Sequence, residues 1–316
     1  MENNKNNEEI QQPTSEPGNY HTPVLLQETI NALAIKPGGV YVDCTFGGGG
    51  HSREILKLLS PQGRLIVFDQ DEDARKNVPD DKRIIFVAQN FRHLQKFLRL
   101  HKHTQVDGIL ADLGVSSYQF DEAERGFSTR FDAALDMRMD NRQPLTAADI
   151  LNTYTEQQLH KMFEKYGEVT NSKTLAKTIT EQRAIAAFKT INVFKQGLQG
   201  IVKGNPNKYF AQVFQALRIA VNDEMGALEE MLQQAVPALK PGARLVVISF
   251  HSLEDRMVKN FFKHGAVQEP EADDVYGTRQ ESPLKIISKK PVTAGAAELK
   301  RNTRSRSAKM RIAEKK

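Results

Sequence analysis

The stretch Tyr41-Val-Asp-Cys-Thr-Phe-Gly-Gly-Gly-Gly-His-Ser52 decides the fold of this chain of 316 residues. Its first half is an apolar run typical of a buried strand, and four consecutive glycines follow before a helix-like segment begins. Glycine adopts backbone angles that other residues avoid and lets a ligand approach the main chain closely. Because a tight turn needs only one or two glycines, four of them favour a ligand-binding loop over a simple turn.

Similar apolar runs, rich in Val and Ile, alternate with helix-like segments along much of the chain. The predicted strands span residues 40–44, 64–68, 84–87, 106–111 and 244–250. Alternation of strands and helices is typical of a doubly wound, mostly parallel sheet. We therefore predict an α/β fold of the Rossmann-like kind. The glycine loop then lies at the carboxyl edge of the first strand, where such sheets bind nucleotide-like cofactors.

Strand-like runs disappear between residues 121 and 222, where helical periodicity replaces them. The clearest helical repeat consists of Phe210, Val213, Phe214, Leu217 and Val221. A helix that packs its own core explains this repeat better than a ligand site does. Because a strand-like run returns afterwards, we predict that residues 121–222 are a helical substrate-recognition domain inserted into a sheet domain of residues 20–120 and 223–316.

Composition fits a globular protein, since 39% of the residues are hydrophobic and 26% are charged. The net charge of +5 is unevenly distributed. Residues 1–19 carry four Glu and one Lys and are predicted to be a disordered acidic tail. Residues 285–316 carry eleven Lys or Arg against two Glu. Charge alone leaves this basic segment open to two interpretations, an arm that contacts phosphates or a solvated terminus.

Several classes of protein are disfavoured by what the sequence lacks. No run of about 18 uncharged apolar residues is present, so we expect no membrane span, and no secretory segment opens the sequence. The single cysteine, Cys44, cannot form an internal disulfide or a multi-cysteine zinc site and suits a reducing cytoplasm. We expect a cytoplasmic protein without a metal.

The residues around the glycines restrict which class of cofactor the loop can bind. A dinucleotide fingerprint needs a third glycine where Ser52 or Arg53 stands, and a phosphate-binding P-loop needs a lysine that is missing. An adenosine cofactor without phosphate remains, and S-adenosylmethionine fits best. Asp69 supports it, because a carboxylate at the end of the second strand can accept both ribose hydroxyls. The alternative for Asp69 is a helix cap.

The fourth predicted strand ends in Asp112-Leu-Gly-Val-Ser-Ser-Tyr118, at the same edge of the sheet. Methylation of a base amine needs a ring that holds the base and oxygen atoms that accept the amine hydrogens. Asp112, Ser116 and Ser117 are the candidate catalytic residues. Read alone, the segment is equally compatible with a polar loop in which Asp112 caps a helix.

Seven motifs occur together in an order that resembles a known family. The motifs are His21-Thr-Pro-Val-Leu-Leu, Asp43-Cys-Thr-Phe-Gly-Gly-Gly-Gly-His-Ser, Asp112-Leu-Gly-Val-Ser-Ser, Glu124-Arg-Gly-Phe-Ser, Leu135-Asp-Met-Arg-Met-Asp, Phe214-Gln-Ala-Leu-Arg-Ile-Ala-Val-Asn and Ile248-Ser-Phe-His-Ser-Leu-Glu-Asp-Arg. From Tyr20 to about Glu314 the chain closely resembles the bacterial 16S ribosomal RNA (cytosine-N4)-methyltransferases. This resemblance implies the class I S-adenosylmethionine-dependent methyltransferase fold.

The resemblance also implies the reaction and the residues that bind the cofactor. The methyl donor would be S-adenosylmethionine, and the acceptor a cytosine in the decoding region of 16S ribosomal RNA, within the small ribosomal subunit. The implied cofactor-binding residues are Gly49, Gly50, His51, Asp69, Phe91, Asp112 and Gln119. A ring that follows the third strand, such as Phe91, could lie against adenine or belong to the core.

Basic side chains are the candidates for contacts with RNA phosphates. We predict contacts by Arg125, Arg138, His251 and Arg256, and, in the basic segment, by Arg301, Arg304 and Arg306. Solvated arginines are the alternative for each. We also expect residues 300–316 to grip RNA without building the cofactor site, although residues 308–313 alternate like a strand and could close the sheet edge.

Two other functional classes remain open from the sequence. A nicotinamide-dependent oxidoreductase shares the sheet and is disfavoured by the missing third glycine. A non-catalytic protein that binds RNA or assists ribosome assembly would keep the basic segment but would need no cofactor pocket. Binding of S-adenosylmethionine separates both from a methyltransferase.

Overall fold

The computed structural model describes residues 23–267 and 281–316, so the predicted acidic tail lies outside the described residues. The described strands are β1 Val40–Asp43, β2 Arg64–Phe68, β3 Ile84–Val87, β4 Val106–Asp112, β5 Leu239–Ser249, β6 Leu284–Ile286 and β7 Lys309–Lys315. The described α-helices are α1 Leu26–Leu33, α2 Gly50–Leu58, α3 Leu94–Leu100, α4 Ser117–Asp121, α5 Ala147–Thr153, α6 Glu156–Gly167, α7 Ser172–Ile185, α8 Ile191–Leu198, α9 Pro206–Asn222, α10 Glu224–Ala238, α11 Ser252–His264 and α12 Ala296–Arg301. None of these helices is long and apolar enough to cross a membrane.

The seven strands form one sheet in the order β3-β2-β1-β4-β5-β7-β6. Strands β1 to β5 run parallel to one another, and β7 is antiparallel to both β5 and β6. One face of the sheet packs against α3, α10 and α11, and the other against α1 and α2. Helices on both faces of a mostly parallel sheet confirm the predicted α/β fold of the class I methyltransferase, Rossmann-like kind.

A second hydrophobic core, separate from those on the sheet, lies among helices α5 to α9. All five members of the helical repeat on α9 belong to it, which confirms that the repeat packs a core. The buried members of this core run from Phe127 to Val221, whereas α10 packs on the sheet. The domain boundaries at residues 121 and 222 stay a prediction.

The basic segment near residue 316 is part of the sheet. Met310 and Ile312 of β7 are buried, and Met310 lies opposite Ile248 of β5. The strand alternative for residues 308–313 is therefore confirmed, with β7 inserted between β5 and β6.

Candidate active site

A cavity of about 1080 Å³ opens at the carboxyl ends of β1, β2, β4 and β5. Pockets for small ligands usually measure about 300–1,000 Å³, so this cavity lies at the upper end of that range. It brings together most of the predicted cofactor and catalytic residues: Gly50, His51, Asp69, Phe91, Asp112, Ser116 and Gln119. Because parallel strands end at one edge, residues far apart in sequence converge there.

The glycine loop has the backbone geometry that the sequence predicted. Gly47 and Gly49 have positive φ angles of 50° and 72°, and Gly49 is the residue that precedes α2. Two side chains hold the loop from outside: Nδ2 of Asn77 donates to the carbonyl of Gly47 at 3.0 Å, and Nη1 of Arg53 donates to that of Gly48 at 2.6 Å. The loop is therefore fixed before any ligand binds.

Asp69 joins the end of β2 to the glycine loop. Its Oδ2 accepts a hydrogen bond from the backbone N–H of Gly47 at 2.7 Å, and its Oδ1 accepts one from Asp71 at 2.8 Å. Burial raises the pKa of Asp69 to about 7. The helix-cap role belongs instead to Asp71, whose Oδ1 accepts from the N–H of Asp73. Each carboxylate oxygen of Asp69 keeps a lone pair for a ligand.

Asp112 lines the cavity, and one of its two carboxyl oxygens has no partner in the described part of the chain. Its Oδ1 is buried and has no hydrogen-bond partner among the described residues, and its Oδ2 lies 3.6 Å from Nδ1 of His51. Nε2 of His51 lies 3.0 Å from the carbonyl of Val24 and therefore carries the proton, so a lone pair on Nδ1 faces Asp112. Burial and the nearby carboxylates of Asp43 and Glu254 raise the pKa of Asp112 well above its usual range. A buried acceptor of this kind suits a ligand that donates N–H.

Ser116 and Gln119 form a reciprocal cap at the start of α4. Oγ of Ser116 accepts from the N–H of Gln119, and Oε1 of Gln119 accepts from the N–H of Ser116, both at 3.2 Å. Nε2 of Gln119 donates to Asp71 at 2.8 Å. These bonds fix the loop beside Asp112. The backbone of Ser117 begins α4, and its side chain lies outside what the structure describes.

Arg125 and Arg138 bind acceptors within the protein. Nη1 of Arg125 donates to Oδ2 of Asp71 at 2.8 Å, its Nη2 donates to the carbonyls of Arg138 and Met139, and the side chain is only 10% exposed. Arg138 forms a two-point contact with Asp136 at 2.8 and 2.7 Å. Most donors of these two arginines bind acceptors within the protein, which disfavours a phosphate contact. Their contact with RNA stays a prediction.

The other predicted phosphate contacts have different outcomes. The side chain of His251 is 8% exposed and its Nδ1 accepts from the N–H of Glu254 at the start of α11, which disfavours a phosphate contact but does not test it. Arg256 is exposed, 3.4 Å from Glu168. Arg301 and Arg306 are also exposed, so for these three the prediction stays open.

Arg304 contributes to the cavity itself. It lines the opening together with Asn302 and Ser307. Its guanidinium pairs with Asp121 at 2.8 Å and lies 5.4 Å from the ring centre of Phe120. Residues 300–316 therefore contribute to the cavity, whereas the expectation that they do not build the cofactor site stays a prediction. A cation at the mouth still suits a phosphate contact.

One wall of the cavity consists of residues that the sequence did not predict to be functional. Arg218, Asn222, Glu224, Phe250 and Glu254 line it beyond Asp112. They come from α9, α10 and the segment after β5. A signal was available for Phe250 only, since it ends a predicted strand and therefore reaches the edge where Asp112 lies. Most of these residues lie in the motifs at residues 214–222 and 248–256, which supported the resemblance to a known family but predicted no site.

Within this wall, ligand atoms of Glu224, His251 and Glu254 lie within 4.8 Å of one another. Metal binding does not suit their chemistry. Arg218 already donates to both oxygens of Glu224, at 2.7 and 2.9 Å. Because Nδ1 of His251 accepts a backbone hydrogen bond, its Nε2 carries the proton and has no lone pair for a metal. The absence of a metal stays a prediction.

Comparison with known proteins identifies close relatives. The profile of the MraW methylase family matches residues 18–316. Ribosomal RNA small subunit methyltransferase H of Bacteroides thetaiotaomicron is 55% identical over 94% of this chain and 98% of its own length. The protein of that name from Flavobacterium johnsoniae is 52% identical over 94% of this chain and 98% of its own. Among solved structures, TrmN from Thermus thermophilus superposes with a TM-score of 0.43 at 13% identity, over 92% of this chain and 48% of that one.

Proposed function

Because this chain belongs to the MraW methylase family, we propose that it methylates the N4 amine of a cytosine in the decoding region of 16S ribosomal RNA, with S-adenosylmethionine as donor. The observation that carries the proposal is the carboxyl group of Asp112, which has one oxygen unpartnered among the described residues and lines the same cavity as the glycine loop and Asp69. Relatives named for the small-subunit RNA match nearly the whole chain.

The described residues fit the methyl donor. When bound, S-adenosylmethionine supplies a methyl carbon on a cationic sulfur, which is a good leaving group. Asp69 offers an acceptor to each ribose hydroxyl, since each oxygen uses one lone pair within the protein. The carboxyl of Asp112 suits the neighbourhood of a positive charge, which would favour its ionised form.

The protein's own contribution is alignment and acceptance of a proton. The carboxylate of Asp112 lines the cavity, where it can accept a hydrogen from the amine as the nitrogen becomes tetrahedral and can take up the proton that the product nitrogen must lose. The fixed glycine loop and the capped α4 hold the two sides of the cavity in place, so donor and acceptor meet in one geometry.

The acceptor would be the small ribosomal subunit in the cytoplasm. Arg304 and the ring of Phe120 at the cavity mouth supply a cation and an aromatic face, the two groups that bind single-stranded RNA. We further propose that residues 121–222 form the domain that positions the RNA. Membership of a methylase family excludes the oxidoreductase alternative. It also argues against a purely non-catalytic role, and a direct assay of methyl transfer tests this conclusion.

Incubation with labelled S-adenosylmethionine and small subunits that lack the modification tests this proposal. We expect one methyl group per subunit, mapped by mass spectrometry to N4 of a cytosine. Label on another base, or on the C5 carbon of cytosine, would contradict the proposed chemistry. Comparison of naked RNA with assembled subunits in the same assay identifies the true substrate.

Replacement of Asp69 with alanine should weaken the binding of S-adenosylmethionine by about 1.5–3 kcal/mol, because a charged hydrogen-bond partner is lost. Since the pKa of Asp69 is about 7 and the ionised form accepts the ribose hydroxyls, wild-type affinity should rise between pH 6 and pH 8. Calorimetry measures both effects.

Two variants control this experiment. Asp69→Asn should lose most of the pH dependence, and Asp80→Ala changes an exposed aspartate and should bind normally. Unchanged affinity in a folded Asp69→Ala protein would remove the ribose assignment.

Substitution of Arg301, Arg304 and Arg306 together with glutamine should reduce the salt dependence of RNA binding. Each phosphate contact on a single strand contributes about −0.7 to the log–log slope of affinity against salt, so three contacts predict a slope shallower by about 2. Filter-binding titrations at several salt concentrations measure the slope.

The matched control replaces three exposed lysines at the amino edge of the sheet, Lys57, Lys82 and Lys102, with glutamine. This triple variant should keep the wild-type slope. If both triple variants keep it, the three arginines are solvated and do not contact RNA.

A further inference from the structure

The cavity extends beyond Asp112 to a side that the donor site does not use. In the order β1-β4-β5, β4 separates the glycine loop from the elements around β5. Four residues from those elements line the cavity, and we call them the polar wall: Arg218, Glu224, Phe250 and Glu254. Two stretches that the sequence singled out, 214–222 and 248–256, supply three of the four.

Arg218 and Glu224 form a rigid, nearly buried pair. Nε and Nη2 of Arg218 donate to the two oxygens of Glu224 at 2.7 and 2.9 Å, and the side chains are 18% and 11% exposed. The pair uses two of the five N–H donors of the guanidinium. Burial of an ion pair is costly, and apolar residues often replace one without loss of stability. A pair kept at a cavity wall therefore points to recognition of a ligand.

Glu254 is a fixed anion beside this pair. Its carboxylate is almost fully buried, and its Oε2 accepts from the N–H of Phe250 at 2.8 Å. The nearby imidazole of His251 and the charge of Arg218 lower the pKa of Glu254 in spite of its burial. Nε2 of His251 lies 3.2 Å from Oε1 of Glu254, yet it has no hydrogen-bond partner. Glu254 thus provides a hydrogen-bond acceptor, and Arg218 provides hydrogen-bond donors, at the same wall of the cavity.

Phe250 brings a flat ring to the same edge as Asp112. A Cβ built at Gly114, two residues after Asp112, would lie 3.6 Å from Cδ2 of Phe250. The carboxylate of Glu254 is also close enough to raise the pKa of Asp112. The polar wall therefore adjoins the reacting edge of the cavity.

We propose that the polar wall is the subsite for the target base, a pyrimidine with an exocyclic amine. The ring of Phe250 stacks on the base, Glu254 accepts a hydrogen from the amine, and Arg218 donates to the bare ring nitrogen beside it. Enzymes that act on extruded bases read the Watson–Crick edge and stack the base in this manner. Glu224 and His251 position the two charged groups.

The same arrangement disfavours uracil. Uracil presents a carbonyl where cytosine has its amine and an N–H where cytosine has a bare nitrogen. It would therefore face Glu254 with an acceptor and Arg218 with a donor, and both contacts would be lost. This inference rests on the proposed function, since it names the subsite for the same reaction.

The test compares Phe250→Leu and Glu254→Gln with wild-type protein in single-turnover methylation of small subunits that lack the modification. Base stacking and a good contact to a base edge are each worth a change of roughly 5- to 150-fold, so kcat/KM for the subunit should fall within that range for both variants. Affinity for S-adenosylmethionine and the melting temperature should change little. Phe250→Tyr keeps the ring and should stay within about threefold of wild type.

The control Glu164→Gln makes the same change at an exposed position and should leave all values unchanged. Wild-type rates in both Phe250→Leu and Glu254→Gln would overturn the base subsite. Loss of cofactor binding in both would also overturn it, since the wall would then belong to the donor site. A wild-type protein that transfers no methyl group to small-subunit RNA would overturn the proposed function instead.

Discussion

Replacement of Gly49 with valine should weaken S-adenosylmethionine binding by roughly 100-fold or more. Gly49 has a φ of 72°, which a β-branched residue strongly disfavours. A Cβ at this position would lie 2.8 and 2.9 Å from ring atoms of Phe46, a residue that lines the cavity. Backbone strain and overpacking each cost about 1–3 kcal/mol. The loop can relieve them only by changing its backbone conformation, and the changed loop no longer fits the cofactor. Calorimetric titration of the purified variant measures the loss.

Two further glycine variants make this result interpretable. Gly38→Ala changes a glycine with open space around its Cβ and no positive φ, so its cofactor affinity should equal that of wild type. Gly49→Ala should lie between wild type and Gly49→Val. Circular dichroism must show that each variant is folded. Normal titration by folded Gly49→Val would reduce the glycines to a simple turn.

The variant Asp112→Asn should slow methyl transfer by about 10²- to 10⁴-fold, the usual contribution of a general base. Asparagine keeps the size of the side chain but cannot take up a proton. Because burial raises the pKa of Asp112 well above its usual range, wild-type activity should rise with pH as the carboxyl ionises. Asp112→Asn should lose this limb of the profile. Single-turnover rates across a pH series, with saturating cofactor, measure both.

Asp80→Asn makes the same change on the surface and should keep the wild-type rate and pH profile. A second measurement, which compares the affinities for the methyl donor and for its demethylated product, separates a role in proton transfer from a role in cofactor binding. The charge of Asp112 favours the cationic sulfonium of the donor over the neutral sulfur of the product, so Asp112→Asn should narrow the difference between the two affinities. A variant with an unchanged rate would exclude Asp112 as the proton acceptor.

Much of the fold was predictable because parallel strands buried on both faces form continuous apolar runs. Strands β2 and β3 begin and end where the sequence predicted. The start of β5 was missed, because Pro241 and Gly242 fall within it and are typical of a turn. The short strand β6 was missed as well, since three residues carry too little periodicity.

The candidate site was predictable where residues end strands, as Asp69 and Asp112 do. Contacts between residues that are far apart in sequence could not be predicted. Arg125 looked like a phosphate ligand, but its partner Asp71 is 54 residues away and no local pattern shows it. The polar wall was missed for a similar reason: Arg218 and Glu224 flank the junction of two helices, and only tertiary packing brings them to Glu254.

The position of β7 has a consequence for synthesis of the chain. Ser249 of β5 and Lys309 of β7 are bonded across 60 residues of sequence. At about 5–20 residues per second, a ribosome needs roughly 3–12 s to make the second strand after the first. During that interval β5 has an unpaired edge with Val246 and Ile248 beside it, and such edges invite pairing with other chains. The nascent protein is therefore open to wrong pairing along this edge until β7 has been made and pairs with β5.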